Sequence, residues 1–158
     1  MKISIITVSY NSAKFIESCI SSILNQSYKN IEYIIIDGKS TDNTMNIVKK
    51  YSKNISRIIS EPDKGVYDAM NKGIKFAKGD IVGFLNSDDF YAGNEVLSKV
   101  ASVFKDDPSL ELCYSDLTYN DQMDTSRVIR YWKSSKFIFG TFSKGWCTTA
   151  DLSELTED

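Results

Sequence analysis

Histidine is absent from all 158 residues of this chain, and its absence removes a large body of chemistry. Ser-His and Cys-His mechanisms, the His-containing metal motifs and the commonest general base are all excluded. Acid–base work therefore falls to Asp, Glu, Lys or Tyr. Cysteine is also scarce: Cys19, Cys113 and Cys147 are odd in number and widely spaced. That fits reduced thiols rather than a disulfide framework, and it offers no zinc pattern. No apolar run approaches the roughly 18–20 residues of a membrane helix. The opening "MKISIITVSY" is too short for a signal-peptide core and lacks a small-residue cleavage site. A cytoplasmic location is expected, with contact at the inner face of a membrane left open. A basic excess is missing too, since the formal charge is −2 and the pI near 5.2. Nucleic acid is therefore not an expected partner, and an anionic ligand would need local positive groups or a metal ion.

What is present is an ordinary globular composition, 42% hydrophobic and 25% charged, on a chain long enough for one domain with a real core. Strand-like and helix-like segments alternate. "KISIITVS" (Lys2 to Ser9) is β-branched and apolar, as in a strand buried on both faces. Asn11 and Ser12 then offer N-caps to a helix bearing Ile16, Ile20, Ile23 and Leu24. "IEYIIID" (Ile31 to Asp37) predicts a second strand. Thr41 or Asp42 can cap the following helix, which carries Met45, Ile47, Val48 and Tyr51. Ile55 to Ser60 predicts a third strand, and Val66, Met70, Ile74 and Ala77 share a helical face. "DIVGFLN" (Asp80 to Asn86) predicts a fourth strand, and a helix covers about Asn94 to Asp106, stopped by Pro108. Leu110 to Asp116 reads as a fifth strand, and "LTYND" with "SRVIRYW" as a hairpin. The alternation predicts an α/β fold, a mainly parallel sheet flanked by helices in the Rossmann-like manner.

Polar groups gather at the predicted carboxyl ends of the strands, where open parallel sheets bind ligands. The first strand ends in Ser9, Tyr10 and Asn11, the second in Asp37, the third near "EPDKG" with Lys64, and the fourth in "NSDD" with Asp88 and Asp89. Each piece also has a plain structural reading. Asp37 with "GKSTDNT" is equally a turn and a helix cap, Tyr10 a half-buried aromatic, and "DKGVYDAMNKG" a solvated helix. Convergence of four strand ends carries the reading of a site. Two carboxylates about 4 Å apart repel by roughly 4 kcal/mol at an effective dielectric near 20. Mn²⁺ or Mg²⁺ would offset that repulsion and is typically held by one or two carboxylates plus substrate phosphates.

"TVSYN", "EYIIIDGKSTDNT", "EPDKGVYDAMNKGIKFAKGD" and "FLNSDD", in this order and spacing, resemble family 2 glycosyltransferases. These are inverting, metal-dependent enzymes of the GT-A fold, and this form is similar to members that build bacterial polysaccharides. The resemblance runs from about Lys2 to Trp146. It implies a nucleotide diphospho-sugar donor and a glycan or lipid-linked acceptor. Val8, Ser9 and Tyr10 would line the nucleotide, with Tyr10 against the base and Asp37 on the base edge. Asp89 would be the direct metal ligand and Asp88 would lie nearer the ribose, also serving the metal. Lys64, Gly65, Asp68 and Asn71 would line the donor pocket.

The resemblance departs at the C-terminus. Family members continue beyond "KGW" with an acceptor-binding segment and a carboxylate base, whereas this chain reads "KGWCTTADLSELTED". Residues 1–146 are thus expected to form a nucleotide-sugar-binding domain, with 147–158 a truncated or divergent tail. No catalytic base is assigned, and nothing fixes an oligomeric state. Two readings stay open: a transferase, and a truncated module that binds nucleotide-sugar without turnover. A nucleotidyltransferase would share the layout, but "SYNSAKF" lacks the Gly-rich basic loop it would carry after the first strand.

Overall fold

The computed structural model describes residues 1–134; the expected C-terminal tail, 147–158, lies outside them. The described residues belong to two compact units, one spanning Met1–Ser102 and the other starting at Val103. No helix among them is long and apolar enough to cross a membrane.

The first unit is built on four parallel strands: β1 (Ile3–Ser9), β2 (Ile31–Asp37), β3 (Arg57–Ser60) and β4 (Ile81–Phe84). Their spatial order is β3-β2-β1-β4. β1 and β2 lie at the centre and are apolar in continuous runs, because helices cover both of their faces. On one face Ile3, Ile5, Tyr33 and Ile35 meet α1 (Ile16–Leu24), α2 (Thr44–Lys50) and α4 (Val96–Asp106). On the other, Ile6, Val8, Ile34 and Ile36 meet α3 (Val66–Phe76). The α1 residues Ile16, Cys19, Ile20 and Ile23 are all buried, the i, i+3, i+4, i+7 stripe of a core-facing helix.

Two local readings change. α3 buries Ala69 and Gly73, with Met70, Phe76 and Ala77 partly buried against the same cluster, while Val66 and Ile74 stay exposed. The reason is close approach: a Cβ at Gly73 would stand 2.4 Å from Ile6 Cγ2. β4 is shorter than expected. Its ladder ends at Phe84, with Leu85 N–H still donating to Ile6 O at 3.1 Å. Val82 and Phe84 remain exposed, since α3 spans β1 and β2 on that face.

The second unit contains an antiparallel hairpin, β5 (Leu117–Asn120) with β6 (Val128–Trp132), as the sequence predicts. The fifth strand expected at Leu110 to Asp116 is not formed. That segment pairs with no strand among the described residues, and Leu112 is exposed. Asp116 instead anchors the hairpin, accepting hydrogen bonds from the Ser134 N–H at 2.7 Å and the Ser134 hydroxyl at 2.6 Å, and one from the Tyr131 hydroxyl.

Candidate functional site

The sheet order decides where a ligand can sit. From β1 the chain proceeds outward to β2 and β3, whereas β4 returns to the opposite flank of β1. Crevices at such reversals, outside the carboxyl ends of the strands, are the usual binding positions of open α/β sheets. A cavity of about 360 Å³ lies there, within the range of small-ligand sites. The end of β1 and the turn after it contribute Val8 to Ser12 and Phe15. The β3–α3 loop and α3 contribute Asp63, Val66 and Ala69, and the turn after β4 contributes Asn86, Ser87 and Asp88. Of the residues singled out in the sequence, Val8, Ser9, Tyr10 and Asp88 line this space. Asp37, Lys64, Gly65, Asp68, Asn71 and Asp89 do not.

Tyr10 is 64% exposed, so its ring offers an open apolar face at the mouth of a polar crevice. The loop that carries it is tightly held. Asn11 adopts a positive φ of 50°, a region Asn tolerates better than most residues. Neither Asn11 nor Ser12 caps α1, whose N-cap is Phe15. The Asn11 side chain instead reaches the next turn, where its Oδ1 accepts from the Thr41 N–H at 2.9 Å and the Asp42 N–H at 3.3 Å. Ser12 spends its hydroxyl on Ser87, Oγ to Oγ at 2.7 Å. The N-cap of α2 is Asn43 and not Thr41 or Asp42, although the Asp42 carboxylate accepts from the Thr44 N–H at 2.9 Å and the Ala13 N–H at 3.0 Å.

Asp37 is the centre of this network and is fully buried. Its Oδ1 accepts from the hydroxyls of Ser9, at 3.2 Å, and Ser40. Its Oδ2 accepts from the Ser40 N–H at 2.9 Å and the Ser60 hydroxyl at 2.6 Å. Donors from β1, from the turn after β2 and from β3 thus converge on one carboxylate. Both Asp37 oxygens are turned to the chain's own donors. Buried polar groups are normally satisfied in this way, and Asp37 here fastens three strand ends.

Asp88 and Asp89 stand in a turn just beyond β4, closed by the Asp89 N–H donating to Asn86 O at 3.0 Å. The Asn86 amide donates to Asp89 Oδ2 at 3.3 Å. Partial enclosure, and then the neighbouring Asp88 charge, raise the Asp89 carboxyl above its ordinary value despite that bond. Below the turn, the Cys19 thiol donates to Asn86 O at 3.4 Å. Burial pushes that thiol up to about 11, so it stays protonated and serves as a donor, not a nucleophile. Uncompensated repulsion between hard oxygen donors suits Mg²⁺ or Mn²⁺. Among the described residues no third His, Cys, Asp or Glu joins the pair, so an ion here would complete its shell with water or phosphate oxygens.

The β3–α3 loop is fixed by the helix it precedes. Lys72 Nζ lies 3.1 Å from Glu61 Oε1 and donates to Pro62 O at 2.8 Å. Asp68 Oδ2 accepts from the Lys64 N–H at 3.0 Å. The main-chain contact and the Lys72 charge outweigh desolvation and hold Asp68 below the usual carboxylate value. Gly65 turns the chain with φ 113° and donates its N–H to Asp63 Oδ1 at 3.0 Å. Asp68 and Gly65 therefore shape the loop, while Asn71 is exposed. Asp63 is the lining residue that the sequence reading passed over. In "EPDKG" it stands beside Lys64 and Gly65, and spacing alone does not distinguish it from them.

Comparison with known proteins agrees with this geometry. The family model described as glycosyl transferase family 2 matches residues 4–154. A PGL/p-HBAD biosynthesis glycosyltransferase of Mycobacterium bovis is 34% identical over 117 residues, covering 72% of this chain and 46% of that protein. The chondroitin synthase of Pasteurella multocida is 38% identical over 106 residues, 66% of this chain and 11% of the synthase. The chain thus spans less than half the length of these relatives. Among solved structures, S. aureus TarS 1–349 in complex with UDP-GlcNAc superposes with a TM-score of 0.63 and 28% identity, over 76% of this chain and 34% of that one. A Pyrobaculum calidifontis mannosyltransferase in complex with GDP-Man and Mn²⁺ shares the fold at a TM-score of 0.63 and 20% identity, over 79% of this chain and 37% of that one. This chain belongs to glycosyl transferase family 2, with the family's GT-A fold.

Proposed function

We propose that the cavity between β1 and β4 holds a nucleotide diphospho-sugar and that the sugar passes to a hydroxyl of a glycan or lipid-linked acceptor. The observation that carries this reading is the meeting of three strand-end segments on one 360 Å³ space, with an exposed aromatic ring on one wall and a carboxylate pair at the turn after β4. A relative bound to UDP-GlcNAc and a fold neighbour bound to GDP-Man and Mn²⁺ support it. Val8, Ser9 and Tyr10 contact the nucleoside, with its base against the Tyr10 ring. Asp88, which lines the cavity, faces the ribose and, with Asp89, would hold Mn²⁺ or Mg²⁺. When bound, that ion would neutralise the departing diphosphate. Lys64 is the side chain we assign to the diphosphate charge, and Asp68 holds the Lys64 main chain in place. Deprotonation of the acceptor hydroxyl by a carboxylate and in-line attack on the anomeric carbon form the new glycosidic bond. The bond to the diphosphate breaks, the configuration inverts, and nucleoside diphosphate leaves. The reaction belongs in the cytoplasm, at the inner face of the membrane where the acceptor is lipid-linked.

Binding without transfer is the second reading. The observation favouring it is that Asp63 and Asp88 are the only carboxylates lining the cavity among the described residues, and Asp88 is already given to the ribose and the ion. One experiment separates the two. UDP- and GDP-sugars labelled in the sugar are offered with Mn²⁺ and a panel of glycan and lipid-linked acceptors, to the wild type and to Asp89→Ala. Labelled product from the wild type alone supports metal-dependent transfer. Calorimetric binding with no product supports the second reading, and equal product from Asp89→Ala refutes the metal assignment.

A further inference from the structure

The turn that carries Asp88 and Asp89 is tied to other elements in two ways. At its start, the Leu85 N–H donates to Ile6 O at 3.1 Å and the Cys19 thiol donates to Asn86 O at 3.4 Å, which fastens it to the core through β1 and α1. One residue further on the tie is to a cavity wall. Ser87 is 7% exposed, and its hydroxyl has Ser12 Oγ, 2.7 Å away, as its partner among the described residues. Ser12 belongs to the loop after β1, and both serines line the cavity. Between Asn86 and Tyr91 this is the only hydrogen bond from the turn to another element among the described residues. Ser12 is itself firmly placed. Its N–H donates to Thr44 Oγ1 at 2.8 Å, and its carbonyl accepts from the Phe15 N–H at 2.9 Å and the Ile16 N–H at 3.0 Å. Its hydroxyl donates to Tyr10 O at 3.3 Å. A serine hydroxyl has one proton to give, so with Ser12 donating to Tyr10 O, Ser87 is the donor of the pair. A directed chain of hydrogen bonds thus runs from Ser87 through Ser12 to the main chain of Tyr10.

We propose that this chain is a brace between the two cavity walls, and that Ser12 and Ser87 are positioning residues through which a divalent ion at the carboxylate turn strengthens nucleotide binding. The inference rests on the reading of the cavity as a site for a nucleotide and an ion. Both hydroxyl protons are spent inside the chain, so the serines act on a ligand by where they hold the walls. Asp88 and Asp89 follow Ser87 directly, and a shift of Ser87 carries them with it. A nucleoside diphosphate with its ion would span both walls, one end against Tyr10 and the other at the carboxylate turn. Such a ligand binds best where the walls already stand at the spacing it needs, because any ordering still to be done is taken from its affinity. Without an ion the carboxylate pair only repels a diphosphate, and the nucleotide is held by the Tyr10 wall alone. The brace therefore governs the gain in affinity that the ion confers, and leaves the ion-free affinity largely untouched.

The test is calorimetric titration of the full chain with UDP and with GDP, each in Mn²⁺ and each in EDTA. It is run on the wild type, Ser12→Ala, Ser87→Ala and the double variant. The readout is the ratio of the two affinities, because a merely structural weakening would lower both alike. Each single variant is expected to reduce the Mn²⁺ gain about three- to tenfold, the scale of one hydrogen bond between neutral groups. Its affinity in EDTA should stay within about twofold of the wild type. The double variant should lose no more than the weaker-binding single variant, because the two hydroxyls share one bond. Ser12→Ala leaves the buried Ser87 hydroxyl unpaired, so Ser87→Ala and the double variant carry the test if it does not fold. If binding in EDTA lies below detection in the wild type, the loss in Mn²⁺ and its non-additivity decide. An unchanged Mn²⁺ gain in Ser87→Ala overturns the brace, as does equal weakening with and without the ion. Losses that add in the double variant overturn it too, since each hydroxyl would then meet the ligand on its own. A wild type whose affinity Mn²⁺ does not raise overturns the ion assignment, and one that binds neither nucleotide overturns the nucleotide reading; the brace falls with either.

Discussion

Replacing Asp37 separates a structural carboxylate from a ligand-binding one. Asp37→Ala removes the acceptor for four donors: the hydroxyls of Ser9, Ser40 and Ser60 and the Ser40 N–H. The hydroxyls can rotate, but the Ser40 N–H cannot, and a buried donor left unpaired costs about 1–3 kcal/mol. With partial loss at the three hydroxyls and a small void, the expected destabilisation is about 3–5 kcal/mol, a large share of the total stability of a typical domain. Asp37→Asn should cost much less, about 1–2 kcal/mol, because the structure favours one amide orientation. The carbonyl can take the Oδ2 position and serve the Ser40 N–H, while the amino group faces the Ser9 and Ser40 hydroxyls, which can turn and accept. Urea denaturation monitored by circular dichroism measures both values. Nucleotide titration on folded Asp37→Asn supplies the second readout, expected within about threefold of the wild type. Full stability in Asp37→Ala, or a loss of affinity beyond tenfold in a fully folded Asp37→Asn, would refute the assignment and return Asp37 to the ligand.

Gly73→Ala sets two effects against each other. Alanine favours the helix by about 1 kcal/mol, but its Cβ would sit 2.4 Å from Ile6 Cγ2 in the core, and overpacking typically costs about 1–3 kcal/mol. Since Ile6 is fully buried, net destabilisation is expected, and a raised melting temperature would show that α3 can lift freely from the sheet. Glu32 sets the acid limit. Burial alone would raise its pKa, but the Ser4 hydroxyl at 2.6 Å, the Lys78 N–H at 2.6 Å and the Lys2 ammonium together lower it below the ordinary 4.5. A carboxyl depressed on folding stabilises above its unfolded value and loses that contribution as pH falls through its folded value. Thermal melts should therefore show the wild type losing stability below about pH 4.5 more steeply than Glu32→Gln, and parallel curves would remove Glu32 from the account.

How much of this was legible in the sequence depends on which physical property each feature expresses. The four parallel strands and three of their crossover helices follow from periodicity, a property of consecutive residues, and Ile16, Cys19, Ile20 and Ile23 show it without help from the rest of the chain. Leu110 to Asp116 carries a similar apolar content but finds no partner strand, because pairing is decided by what lies beside a segment and not by its own composition. The site divides along the same line. That polar residues cluster at the strand ends was visible from spacing alone, and it located Ser9, Tyr10 and Asp88 in the cavity wall. Which carboxylate is free was not visible, because satisfaction of a polar group is settled by donors that arrive from elsewhere. Asp37 receives Ser9 from 28 residues upstream and Ser60 from 23 residues downstream. Asp63 accepts on Oδ1 from the Gly65 N–H, two residues on, while Lys72 pairs with Glu61 and Asp68. Asp37 and Asp63 thus differ in how fully the chain's own donors satisfy them. The difference lies in the hydrogen-bond accounting around each of them, which no motif records.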